Sequence, residues 1–165
     1  MLVRRLPSGE RRAGRIVETE AYVGQEDLAS HAARCQPSGR ASVMYGPPGR
    51  AYVYLIYGLH NCLNAVTEPE GFPAAVLFRA LDPLENVVER VDGPGRLCRA
   101  LEIDRSLNGA RLDGPQLWVE PAASRDFEVA AGRRIGVAYA GEWAERPWRF
   151  WIRAAPRRRR TGRPR

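Results

Sequence analysis

Apolar and polar positions alternate along this chain in short runs broken by Gly, Pro, Ser and Asp, a period of two that predicts strands. Residues 1–6 form the first run, P-S-G-E at 7–10 reads as a turn, and 13–23 as the hairpin partner. A second pair is predicted at 51–56 and 61–66 around a turn at 57–60, with further strands at 73–81, 117–120, 135–138 and 148–153. In the last of these, Phe150 and Ile152 alternate with Arg149, Trp151 and Arg153. Residues 83–91 and 94–103 read as helices and 25–34 as a short helix or turn. The stretch 36–50, rich in Gly, Pro and Ser, reads as loop. Beyond Ala154 the chain turns to Pro and Arg without apolar periodicity, so one domain is expected over 1–154 and a disordered tail over 155–165.

Length and charge narrow this picture. At 165 residues the chain can bury a real core. No apolar run is long enough to span a membrane, and no signal peptide is visible. Cys35, Cys62 and Cys98 have no paired spacing, which fits a reduced, cytoplasmic setting with access to nucleoid DNA. The net charge is +7, but six arginines lie in the last nine residues, leaving only +1 for the body. Such a tail can grip phosphates without reading sequence, or it is a solvated end. Lysine is absent, so no side-chain amine can form a Schiff base. A Walker-type phosphate loop, which needs lysine, is excluded on the same ground.

The chemistry concentrates in V-E-T-E-A-Y (17–22) and Y-V-Y-L-I-Y-G (52–58). Strand side chains alternate faces and rise about 3.3 Å per residue, so Glu20 and Tyr22 share a face roughly 7 Å apart. A flat group stacked on Tyr22 lies within reach of the Glu20 carboxylate. Glu18 shares that face and is the rival acid, and a bulge in the strand would exchange the two. Tyr52 and Tyr54 share one face of the second run. Tyr57 falls at the turn beside Gly58, where a ring can act as a wedge. A ring to hold a flat ligand, a ring to push and a carboxylate to do chemistry are what extrusion of a base from a duplex needs. Arg79 interrupts the apolar run A-A-V-L-F-R-A-L and needs a carboxylate partner, for which Glu20 is the candidate. Asn64 in mid-strand is either a pocket amide or a solvent-facing residue. Arg40 and Arg50, in the loop, suit phosphate contacts or an ordinary surface. His31 and Cys35 are four apart, but no second pair follows, so no metal is expected. A zinc deaminase is excluded by the missing histidine–glutamate and paired-cysteine signature.

The runs R-I-V-E-T-E-A-Y (15–22), Y-V-Y-L-I-Y-G (52–58), V-L-F-R-A-L-D-P (76–83) and G-V-A-Y-A-G-E-W (136–143) closely resemble the alkyladenine, or methylpurine, DNA glycosylase family. The resemblance runs from about Leu2 to Ala154 in the family's order. It implies an α+β fold: a mixed, mostly antiparallel, curved and open-barrel-like sheet with flanking helices and a protruding β-hairpin. It also implies a monomeric, cofactor-free, monofunctional enzyme acting on damaged purines in double-stranded DNA. The implied roles are Glu20 as general base, Arg79 at the active site, and the backbone carbonyl of Ile135 as a water ligand. Tyr22, His31, Tyr54 and Asn64 are implied around the base, Tyr57 as the intercalating wedge, and Gly95 and Arg96 at the DNA backbone. Relatives usually carry a helix before the first strand, and here Met1 falls directly at it. His60 stands where relatives often have an aromatic residue. A damaged-DNA binding protein without turnover is the alternative.

Overall fold

The architecture grows from one long strand. In the computed structural model, which describes residues 1–35, 37–39, 41–88, 91–122 and 127–153, β2 (Arg11–Val23) pairs with β5 (Ala74–Glu85) over nearly its whole length. Its other edge is divided: β1 (Leu2–Arg5) takes the first half, and β9 (Arg149–Arg153) takes Glu18 to Glu20. The hairpin β3 (Ala51–Ile56) and β4 (His60–Val66) joins through β4 to β5, and β7 (Leu117–Val119) pairs with β1. The order is therefore β3-β4-β5-β2-β1-β7, with β6 (Val91–Asp92) on β5 and β8 (Glu128–Gly132) on β9. Every one of these pairings is antiparallel. Strand twist accumulates across so many neighbours, and the sheet curls into a half-barrel. The α+β expectation holds, with α1 (Pro94–Ala100) the one α-helix among the described residues.

The two faces of the hairpin have different fates. Ala51 and Val53 point into the main core with Leu63, Phe78, Leu81, Leu97 and Leu101. Burying a leucine fully, as at Leu63, Leu97 and Leu101, stabilises by roughly 1.5–3 kcal/mol. Tyr52 and Tyr54 point the other way, where Ala32, Ala41 and Met44 of the 31–45 segment close over them. A third cluster, Ala29, Val137 and Ala140 with Tyr22 and Trp143 against it, forms alongside. The cavity described below lies on this second face.

Two local expectations are corrected. The helix over 83–91 does not form: Asp82 to Glu85 extend β5 beside Ala13 to Arg15, and Val91–Asp92 returns to pair with Ala80 and Leu81. Pro83 is tolerated because a register shift sits between its partner Gly14 and Ala13. Gly14 is required there, since a Cβ would stand 2.9 Å from Leu81 Cβ. The strand over 135–138 is instead a bend at Ile135 and Gly136 followed by a 3-10 run over Ala138–Glu145. Positive φ at Gly136 (76°) and Gly141 (57°) is incompatible with a ladder. The strand that pairs with β9 is β8, earlier in the chain. The tail over 155–165 lies outside the described residues.

Candidate active site

The β2–β5 ladder is irregular around Glu18 and Arg79. Register shifts flank Glu18, and the pairs Glu18–Ala80 and Thr19–Phe78 pass over Arg79. Bulges re-aim side chains, and this one turns Arg79 across both acids of β2. Its Nε donates to Glu18 Oε1 at 2.9 Å and its Nη1 to Glu20 Oε2 at 3.3 Å. The expected partner of Arg79 is thus one of two. On its other edge β2 pairs regularly with β9 through Glu18, Thr19 and Glu20, so Glu18 and Glu20 keep the same face. Their environments differ sharply. Arg149 Nε also donates to Glu18 Oε1, at 2.7 Å, so Glu18 sits between two guanidinium groups.

Glu20 is fully buried. The Ile135 amide donates to its Oε1 at 2.8 Å, and the Tyr22 hydroxyl donates to its Oε2, also at 2.8 Å. With Arg79 these make three donors on a carboxylate that offers about four lone-pair directions. Among the described residues no fourth donor meets it, and one acceptor site is left over. Ile135 therefore meets Glu20 through its amide. Burial, and then the charge of Glu20, push the Tyr22 phenol far above its ordinary range, so it stays a donor.

Beside this carboxylate lies a cavity of about 360 Å³, within the ~300–1,000 Å³ usual for small-molecule sites. Tyr22, Arg79 and Ile135 line it, so Glu20 stands directly behind its wall. His31 enters from a 3-10 turn (His31–Ala33), with its Nδ1 2.7 Å from the Tyr52 hydroxyl and its ring edge-on to Tyr54 at 4.4 Å. Asn64 is buried in the lining, and its Nδ2 donates to the Tyr52 carbonyl at 3.0 Å. Cys62 also lines the cavity. Burial raises its thiol pKa, which keeps it neutral and a poor nucleophile.

The hairpin tip stands at the mouth. Tyr57 and Gly58 both have positive φ, 52° and 70°, and the Leu59 amide closes the turn on the Ile56 carbonyl at 3.1 Å. A non-glycine residue held in this region costs of order 1–3 kcal/mol. Here it projects a ring that is 84 % exposed, with Leu59, 78 % exposed, beside it. Gly95 lines the cavity and admits the His60 ring, whose Cβ would lie 3.0 Å from any Cβ at that position. Arg96 is ion-paired with Asp92. Arg50 is not brought to this cavity: it donates to the Gly109 carbonyl at 3.1 Å and lines a separate, smaller recess with Arg111. Arg40 lies outside the described residues.

Two groups went unread in the sequence. Tyr139, inside the motif G-V-A-Y-A-G-E-W, lines the cavity mouth. Arg134 and Asp27 form a fully buried ion pair behind Tyr22, with contacts of 2.6 and 2.8 Å and the guanidinium 4.7 Å over the Tyr22 ring. Residues 107 apart in the chain give no local sign of such a pairing.

Against known proteins, the sequence model of a family described as methylpurine-DNA glycosylase matches residues 1–156. The chain is 57 % identical over 152 residues to a protein of Anaeromyxobacter dehalogenans strain 2CP-1 named "Putative 3-methyladenine DNA glycosylase", covering 92 % of this chain and 72 % of the relative. Relatives of the same name from Myxococcus xanthus (53 % over 148 residues, 88 % of this chain, 76 % of the relative) and Methanocella arvoryzae (50 % over 171 residues, 94 % and 83 %) also match. With its curled antiparallel sheet and its aromatic-walled cavity backed by a buried glutamate, the chain belongs to the methylpurine-DNA glycosylase family.

Proposed function

We propose that this protein is a monofunctional DNA glycosylase that extrudes an alkylated or deaminated purine, of the 3-methyladenine or hypoxanthine type, and hydrolyses its bond to the sugar. The observation that carries the reading is the buried Glu20, held by three residues of the cavity wall, beside a space lined by Tyr22, His31 and Tyr54. Rupture of an N-glycosidic bond gives the sugar oxocarbenium character. Glu20 then has two tasks. Its remaining acceptor site orients and deprotonates water, and its charge stabilises the cationic sugar. Arg79, Tyr22 and the Ile135 amide fix the carboxylate so that it need not reorganise during the reaction.

Purine selection follows from the walls. Stacking on tyrosine is worth roughly 1–3 kcal/mol per base, and an electron-poor alkylated purine is drawn to the ring face much as a cation is. Alkylation also makes the base a better leaving group. Tethered to the Tyr52 carbonyl, Asn64 cannot step aside for the 2-amino group of normal guanine. The absence of lysine favours hydrolysis to an abasic site over lyase chemistry through a side-chain amine.

The test is a single-turnover excision assay on duplexes carrying 3-methyladenine or hypoxanthine. Release of free base supports the reading, whereas tight lesion binding without release leaves a damage-binding protein. The wedge role of Tyr57 has its own check. Tyr57→Ser is expected to weaken binding to lesion duplex by about tenfold or more, from the lost stacking, and to leave single-strand binding nearly unchanged. Titration of both ligands by fluorescence anisotropy measures it, and equal losses would argue against a wedge.

A further inference from the structure

The rim of the cavity carries a cation that the glycosylase reading has not used. Arg34 caps the 3-10 turn holding His31, and its side chain is exposed. Its guanidinium lies 4.2 Å over the ring of Tyr139. Tyr139 lines the cavity, is itself 57 % exposed, and arrives on the 3-10 run after Gly136. Two segments distant in sequence, 29–34 and 135–139, thus meet at the mouth, and the 3.4 Å contact between the Tyr139 hydroxyl and the Ala29 carbonyl spans them. Among the described residues Arg34 has no carboxylate partner, unlike Arg79, Arg96, Arg134 and Arg149. A guanidinium stacked by its face on an aromatic ring keeps its N–H edge for a planar, bidentate acceptor.

We infer that Arg34 grips a phosphate flanking the extruded nucleotide and that Tyr139 is the positioning residue beneath it. The inference rests on the glycosylase reading. With the base in the cavity and its sugar at Glu20, the adjoining phosphates must stay at the mouth, because burying them unpaired is prohibitive. Arg34 is the exposed, carboxylate-free cation stacked on a ring of that mouth. The interaction is ionic and stands in water, so it follows counterion release: one phosphate neutralised adds about 0.9 to the slope of log affinity against log salt.

The experiment measures that slope for the full chain on a hypoxanthine duplex and on the undamaged duplex. Arg34→Ala should flatten the lesion slope by about 0.9 and leave the undamaged slope as it was, since nothing is extruded there; Arg34→Lys should restore it. Tyr139→Ala should cost several-fold in lesion affinity in the parent and markedly less in an Arg34→Ala background. An unchanged lesion slope overturns the proposal, and so does equal flattening on both duplexes. Equal costs of Tyr139→Ala in the two backgrounds remove the positioning role. A parent protein that neither prefers nor excises the lesion sinks the glycosylase reading instead, so the two failures are separable.

Discussion

Glu20→Gln is expected to lower single-turnover excision by about a thousandfold or more, while lesion-duplex affinity stays within a few-fold of the parent. Glutamine preserves the volume of a fully buried side chain, and its remaining oxygen can still accept from the Ile135 amide. What disappears is the negative charge and the ability to take a proton. General-base assistance is worth about 10²–10⁴, and removing one charge aimed at a developing opposite charge costs several kcal/mol in a water-poor site. The new Nε2 also faces Arg79, which can only donate, while the Tyr22 hydroxyl has to turn from donor to acceptor. Glu18→Gln should cost far less. Glu18 is shared between Arg79 and Arg149 and reaches the cavity only through the former. Quenched-time-course excision with both variants measures the difference, and near-parental rates for Glu20→Gln would remove Glu20 from the chemistry.

How far the sequence carried depends on the range of the interaction. Alternation in V-E-T-E-A-Y placed Glu18, Glu20 and Tyr22 on one face, because a strand's period is fixed by its own backbone. Alternation likewise separated Tyr52 and Tyr54 from Ala51 and Val53, and the cavity face from the core. A turn at Tyr57 and Gly58 was legible from the glycine alone. Partner choice was not. Arg79 clearly needed an acid, but that it would bridge two of them depended on a bulge created between β2 and β5, which neither strand encodes by itself. The 83–91 segment misled for a related reason. Its local composition permits a helix, and pairing with Ala13 to Arg15 overrides that preference. Ile135 looked like a strand residue until Gly136 beside it took positive φ, and that bend is what frees its amide for Glu20.

The largest loss of stability is expected from Arg134→Met. The Arg134 guanidinium meets both oxygens of Asp27, at 2.6 and 2.8 Å, and donates to the carbonyls of Ala21 and Trp143, each at 2.9 Å. It thereby ties the second half of β2, the 24–30 loop and the 138–145 run together, while stacking over Tyr22 and, at 5.1 Å, over Trp148. Both side chains are wholly excluded from solvent. Removing one member of such a pair leaves an uncompensated charge in the interior, which costs about 3–5 kcal/mol. For a chain of this size 1 kcal/mol moves the melting midpoint by about 2–4 °C, so a fall of roughly 10 °C is expected. Adding Asp27→Asn should recover part of it. The stranded charge is then gone, while the amide oxygen can still accept from one of the Val23 and Ala29 amides, which now donate to separate Asp27 oxygens at 3.2 and 3.0 Å. Thermal and urea unfolding of the two single variants and the double check this. A double variant no more stable than Arg134→Met would show that the lost donors to Ala21 and Trp143, rather than the unpaired carboxylate, set the cost.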